Sequence, residues 1–265
     1  MAGAAGTEYG DRAVAVGGEI LRTVVGSGVH GIAIAGTDDH DEMGVFIEPP
    51  AQLLGLRPAM EHYVFRSQPE GARSGPGDTD LVVYSLRKYL RLATKVNPTA
   101  LLPLYAPADA VLVLTPLGEQ LRALASRVLS RQAVHRFLGY LDSQRQQLLG
   151  TGPRHGMPSR PELVARYGYD VKYASHALRL AYQGREVAGH GRLTLPMPQD
   201  ERNRVLAVKR GEIRQLADVL AEIDNVQAQI HELLATGRTP LPAEPDLDTI
   251  TDWSASAHRR HWNWT

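Results

Sequence analysis

Asp39 and Asp41, one residue apart at the head of an apolar run, are the side chains best suited to chemistry in this chain. They stand in GSGVHGIAIAGTDDHDEMGVFIE, where a Gly26-Ser27 turn precedes them and an apolar strand follows. Strand side chains alternate between faces, so Asp39 and Asp41 project to one side and His40 and Glu42 to the other. Two adjacent carboxylates repel each other, and a hard cation such as Mg²⁺, which also binds substrate phosphates, relieves that repulsion. A Gly-Ser turn just upstream can present backbone N–H groups to those phosphates. The pattern predicts metal-dependent phosphate chemistry. The plainer alternative is an Asp-rich turn, for which Gly36-Thr37-Asp38-Asp39 is well suited.

A two-metal site needs a third carboxylate to hold the second ion and polarise an attacking hydroxyl. Asp80, at the start of the short strand Asp80-Leu81-Val82-Val83, is the expected residue, with Asp78 as its rival two positions away. On the later helix YGYDVKYASHALRLAYQG, Lys172, His176 and Arg179 fall at i, i+4 and i+7 and share one face. Val171, Ala174, Leu178 and Ala181 form a separate apolar stripe. The polar face is either simply solvated or serves to neutralise phosphate charge.

Other patterns carry less. His30, His40 and His62 match no zinc template. Gly26-x-Gly28-x-x-Gly31 reads as GxGxxG, but aspartates interrupt where the helix of a dinucleotide site should run. Ser27 lacks the flanks of a nucleophile elbow. Trp253, Trp262 and Trp264 with Arg259 and Arg260 give a cationic, aromatic tail suited to stacking on bases or to docking on the protein itself.

The elements expected to position these residues begin with a short helix or turn over 11–25 leading into a strand, Leu21–Val25. A second strand covers 42–48, and a Gly/Pro/Ser-rich loop, 66–79, empties into the Asp80 strand. The helix YSLRKYLRLATK follows, with Leu86, Tyr89, Leu90 and Ala93 as its apolar stripe, until Asn97-Pro98 stops it. Residues 111–114 read as a further strand. Helices are predicted over 116–129, 131–149, 161–183 and 201–235, the last broken near Gly211, with 150–160 and 188–199 as punctuating loops. Strands first and helices afterwards predict an α+β chain in two lobes with a boundary near 107–116. The division is residues 1–110, 111–240 and a tail, 241–265.

The 265 residues suffice for one large domain or two small ones. Acidic and basic residues number 29 each, so no global field advertises nucleic acid or a membrane surface. The absence of cysteine excludes disulfides, thiolate metal sites and a cysteine nucleophile. No stretch approaches the roughly 18 apolar residues of a membrane span, and the N-terminus lacks the pattern of a signal peptide. A cytoplasmic protein is expected.

Gly26-Ser27, Asp39-x-Asp41 followed by Gly44-Val45-Phe46, and a later strand aspartate resemble the DNA polymerase β-like nucleotidyltransferase superfamily. The resemblance is closer to its branch of predicted nucleotidyltransferases that includes the RNA-repair-pathway, RNA-ligase-associated family. It extends through YSLRKYLRLATKVNPTALLPLY, YDVKYASHALRLAYQG and GRLTLPMP followed by VKRGEI, and it also looks like nucleotidyltransferases of actinobacterial phages. It implies a mixed sheet with flanking helices followed by a helical C-terminal lobe. It implies two divalent ions, Mg²⁺ or Mn²⁺, on Asp39, Asp41 and Asp80. Gly26 and Ser27 would contact nucleotide phosphates, and Asn97-Pro98 with Lys172, His176 and Arg179 would contact nucleotide or acceptor. The implied reaction moves an NMP from an NTP to a hydroxyl acceptor, RNA, protein or small molecule, releasing pyrophosphate. Within the same resemblance lie nucleotidylation of a protein or tRNA in a toxin–antitoxin role and a catalytically silent nucleotide- or RNA-binding module. The branch usually has Ser-Asp where this chain has Asp38-Asp39, which adds charge beside the site.

Overall fold

The computed structural model describes residues 6–72, 74–152 and 160–264. Arg73 of the predicted 66–79 loop and 153–159 of the predicted 150–160 loop lie outside the described residues. The chain divides into two compact units, Met1–Val128 with Pro245–Thr265, and Leu129–Glu244.

The first unit is built on strands β1 (Thr7–Tyr9), β2 (Glu19–Val24), β3 (His40–Phe46), β4 (His62–Arg66), β5 (Thr79–Ser85) and β6 (Val111–Leu114). Helix α1 (Arg12–Gly17) precedes β2, α2 (Gly26–His30) follows it, and α3 (Pro50–Leu54) lies between β3 and β4. Helices α4 (Leu86–Thr94), α5 (Pro98–Tyr105), α6 (Pro116–Ala123) and α7 (Ala125–Val128) come after β5. The sheet order is β1-β4-β5-β3-β2-β6. Only β3 and β5 run parallel; the other neighbours are antiparallel. The result is the mixed sheet that the resemblance implies.

Alternation along the strands divides the two faces. Phe46, Tyr63 and Val83 point to one face and bury against Ala15 of α1, with Phe65 and Leu81 beside them. Leu86, Tyr89, Leu90 and Ala93 of α4 are buried as the stripe predicts. Tyr89 donates a buried hydrogen bond, 2.8 Å, to the carbonyl of Ala100, joining α4 to α5. Burial raises the pKa of this phenol, so it stays a donor. Between the two helices Val96 takes φ +52, a left-handed conformation that costs a β-branched residue on the order of 1 kcal/mol or more. That turn delivers Asn97, whose side chain caps α5 through the Thr99 N–H at 3.0 Å. Asn97-Pro98 therefore starts a second helix as well as ending the first, with proline at N1 where its missing N–H is harmless.

The tail folds as α13 (Leu247–His261) in the first unit. His258 and Glu48 are both buried and stand 3.1 Å apart, and Trp262 Nε1 donates to the Glu48 carbonyl at 2.8 Å. These contacts dock the segment on the first unit.

The second unit contains α8 (Arg131–Leu148), α9 (Pro161–Tyr167), α10 (Val171–His190), α11 (Gln199–Lys209) and α12 (Leu216–Ala235). Its centre is α10, which packs on α8, α11 and α12 and buries Ala174, Leu178, Ala181 and Val187. Glu222 of α12 accepts from Tyr182 of α10 and, at 2.6 Å, from Arg204 of α11. The predicted 161–183 helix is two helices, because Gly168 ends α9 at φ +87 and Asp170 caps α10 through the Lys172 and Tyr173 N–H groups. The 116–129 span likewise divides into α6 and α7. The break near Gly211 is present between α11 and α12.

Candidate active site

Asp39, Asp41 and Asp80 converge: one carboxylate oxygen from each lies within 4.8 Å of the others, the one such acidic or histidine group among the described residues. The cause is register. Asp41 is the direct partner of Asp80 in the parallel β3–β5 ladder, so the two side chains leave the same face. Asp39 stands just before β3 begins at His40, and its carboxylate still reaches the other two. His40 turns away and meets Glu42 at 3.0 Å, and neither His30, His40 nor His62 belongs to the cluster.

Asp78 goes elsewhere. Its carboxylate accepts from Ser67 Oγ at 3.0 Å and from the Gly75 N–H at 2.9 Å, closing the loop before β5. Asp38 also bonds locally, accepting from the Ile34 N–H, so its added charge is engaged in its own turn. Asp80 is oriented by two donors, Gln68 Nε2 at 2.8 Å on one oxygen and Ser74 Oγ at 2.8 Å on the other. Gln68 is buried.

Gly26 and Ser27 open α2, a single five-residue turn of helix where the sequence reads as a glycine turn. The Val25 N–H donates to the Asp41 carbonyl at 2.9 Å, which seats this turn against the aspartates. Gly26 has φ +62, and a Cβ there would stand 2.0 Å from Asp41 Oδ2. Ser27 Oγ is buried and makes no hydrogen bond, an arrangement that normally costs free energy unless a ligand completes it.

A cavity of about 350 Å³ opens beside Gly26, Asp41 and Asp80, and neither Asp39 nor Ser27 lines it. Gly26, Asp41, Arg66, Asp80, Tyr84 and Asn97 contribute to its lining. Burial raises the Tyr84 pKa, keeping the phenol protonated. Two larger grooves in this unit, about 670 and 680 Å³, contain none of the three aspartates. Volume is the weaker guide here, because convergent ionisable groups mark chemistry better than apolar space does.

Lys172, His176 and Arg179 lie on α10 in the second unit, Lys172 exposed and the other two half-buried. The face is not uniformly cationic. Burial, with Arg179 and Lys172 nearby, brings the His176 pKa down to about 3, so it is neutral at pH 7. Burial brings Arg179 down to about 10, leaving it charged.

Three carboxylates form a hard oxygen donor set suited to Mg²⁺ or Mn²⁺. The glycine cradle beside Asp41 leaves room for a phosphate-bearing ligand, whereas the Ser27 hydroxyl is buried and does not line the cavity. A mixed sheet presenting this triad from adjacent strands beside a Gly-Ser turn, with helices following, is the core of a polymerase β-like nucleotidyltransferase. Residues 16–255 match the RNA repair pathway DNA polymerase beta family, and the chain belongs to that family. No curated protein and no solved structure matches it.

Reading the sequence missed Arg66, Gln68 and Ser74, which all touch Asp80 or its surroundings. One signal was present for the first. His62, Val64 and Arg66 alternate with Tyr63 and Phe65 immediately before the loop, the period-2 pattern of a strand. Gln68 and Ser74 sit in an irregular loop and carry no periodic signal.

Proposed function

We propose that this protein transfers a nucleoside monophosphate from an NTP to a hydroxyl acceptor, releasing pyrophosphate. The observation that carries the reading is the convergence of Asp39, Asp41 and Asp80 within 4.8 Å, with the bare Gly26 set against Asp41 in the same cavity. Two divalent ions, Mg²⁺ or Mn²⁺, bound by the three aspartates would neutralise the triphosphate and activate the acceptor hydroxyl.

The residues divide the remaining work. The Gly26 backbone holds phosphate oxygens, and Gly26 admits them because it has no Cβ. Asp80 receives the acceptor hydroxyl's proton as the new O–P bond forms at the α-phosphorus. The bond from that phosphorus to the bridging oxygen breaks, and pyrophosphate departs. The absence of cysteine supports action in the reducing cytoplasm, where NTPs are plentiful. Among the described residues no helix is long and apolar enough to cross a membrane.

The test is pyrophosphate release with labelled NTPs, Mg²⁺ or Mn²⁺, and RNA ends, tRNA and protein as separate acceptors. Asp39→Ala and Asp41→Ala are each expected to reduce transfer about a thousandfold or more. Wild-type rates in either variant would sink the mechanism. Label appearing on tRNA or protein alone would replace the RNA-end reading with the toxin–antitoxin one. NTP binding without any transfer would indicate a silent binding module.

A further inference from the structure

In the first unit, helix α13 leaves a long face uncovered. Leu247, Thr251, Ser254, Ala255, Arg259 and Trp262 of this helix line a groove of about 670 Å³ whose other wall is α4. From Leu247 to Trp262 the face runs four helical turns, about 22 Å. Leu54, Leu247 and Trp264 all border the groove and are exposed, and an apolar surface of this extent open to water marks an interaction site. The lining also holds Arg87, Arg91 and Arg259 and, among the described residues, no carboxylate. The occupant that suits it is a helix with a small or apolar face and carboxylates beside that face.

α13 is itself such a helix. Asp248, Asp252, Ala255 and Arg259 recur at i, i+4, i+7 and i+11, so they share one flank, and all four are exposed. Asp248 and Asp252 are like charges at i, i+4 and repel each other. Neither they nor Arg259 form an ion pair among the described residues. Ala255, the smallest side chain on the face, lies near its centre, where two helices can approach closely. The first turn carries Asp248 and the last carries His258, Arg259, Arg260 and His261. These charges suit the ends of their own helix, and they also make α13 complementary to a reversed copy of itself.

We infer that this face is the contact between two copies of the chain, with the α13 helices laid antiparallel about a two-fold axis near Ala255. Thr251 of each copy then faces Arg259 of the other, and Asp252, on the same flank, comes beside that guanidinium. The contact is self-complementary, as a two-fold interface must be. Nucleic acid suits the face less well, because its phosphates would meet Asp248 and Asp252. The inference is independent of the nucleotidyltransferase reading, since no residue of the groove belongs to the aspartate cluster.

Sedimentation equilibrium of the full chain from about 1 to 100 µM tests it. The wild type is expected to reach twice the 29.0 kDa of one chain. Ala255→Arg sets two added guanidinium groups against each other at the axis. It should be monomeric with unchanged far-UV circular dichroism, since Ala255 is exposed. Asp252→Lys and Arg259→Glu should each weaken the dimer about fivefold or more. An equimolar mixture of these two should recover it, because the mixed dimer has opposite charges at both junctions; if Ala255→Arg loses its fold, this pair decides. A wild type that stays at the mass of one chain overturns the inference, and quenching of its tryptophan emission by oligouridylate would reassign the groove to nucleic acid. A dimer that survives all three substitutions is formed elsewhere on the chain and overturns it equally, as does a mixture that fails to recover. None of these outcomes touches the aspartate triad, whose Mn²⁺ binding is a separate measurement.

Discussion

Gly26 and Asp41 occupy space that admits no side chain between them: a Cβ on residue 26 would lie 2.0 Å from Asp41 Oδ2. The nearest strand of the site and the turn that follows β2 are thus fitted to one another at atomic distance. A Gly26→Ala chain must move the carboxylate, shift the turn or both. It also carries a side chain at φ +62, at a cost of about 1–2 kcal/mol. Transfer activity is expected to fall at least about tenfold, with a thermal midpoint lowered by a few degrees. Gly36→Ala is the matched control, since Gly36 has φ +75 but nothing within 4 Å of its Cβ position. It should lose stability and keep activity. Equal activity loss in both variants would remove the steric argument.

Asp78 and Asp80 separate by what each carboxylate touches. Asp80→Asn removes a charged oxygen from the triad, so Mn²⁺ affinity and transfer should both collapse. Among the described residues, Asp78→Asn disturbs the Ser67 and Gly75 contacts of the loop. It should retain Mn²⁺ binding within a few-fold while the loop becomes easier to cleave by limited proteolysis. A reversed order of the two variants in Mn²⁺ titrations would reassign the third carboxylate.

Acid should release α13. Burial alone would raise the Glu48 pKa, but hydrogen bonds from His258 and Ser85, with the local backbone, outweigh it and hold the carboxyl below its usual value. A depressed folded pKa means that its contribution is present above the unfolded value, about 4.3, and is lost as pH falls through the folded one. All three tryptophans, Trp253, Trp262 and Trp264, belong to this C-terminal segment, so intrinsic fluorescence reports its docking directly. The emission should shift to the red below about pH 4, and in Glu48→Gln that acid transition should be diminished. Replacing the charged acceptor of His258 by a neutral amide should also cost Glu48→Gln about 1 kcal/mol at pH 7.

The second unit should respond to acid over a higher range. His176 is held neutral down to about pH 3, whereas an unfolded histidine takes up its proton near 6.5. Between those values the unfolded state binds more protons, so stability falls as pH is lowered, by at most about 1.4 kcal/mol per pH unit. His176→Asn should flatten the dependence of the thermal midpoint on pH in that window. An unchanged slope would show that His176 titrates normally.

Much of the site was legible because its signals are local. Asp39-x-Asp41 needs only closeness in the chain to bring both carboxylates together. The α4 stripe of Leu86, Tyr89, Leu90 and Ala93 needs only the helical period, and all four are buried. Other elements lacked such signals. The β4 strand is five residues long and borders a loop rich in Gly and Pro, and β1 has three residues. α13 follows a Pro- and Asp-rich stretch and carries no unbroken apolar stripe. Its position is secured by His258, Trp262 and Glu48, more than 200 residues apart in sequence.

By itself the sequence determined the residue types of the triad, the spacing that keeps Asp39 and Asp41 together, and the change from strands to helices along the chain. These follow from short-range geometry, since strand alternation and helical period are properties of neighbours. Only the tertiary structure decided that Asp80 and not Asp78 joins the pair, because that depends on β5 lying parallel to β3 in the one register that sets Asp80 beside Asp41. It likewise decided that Arg66 of β4 stands opposite Asp80 and that Gly26 must be bare to admit a carboxylate from another strand. Register between distant strands is set by packing of whole faces, and no local spacing encodes it.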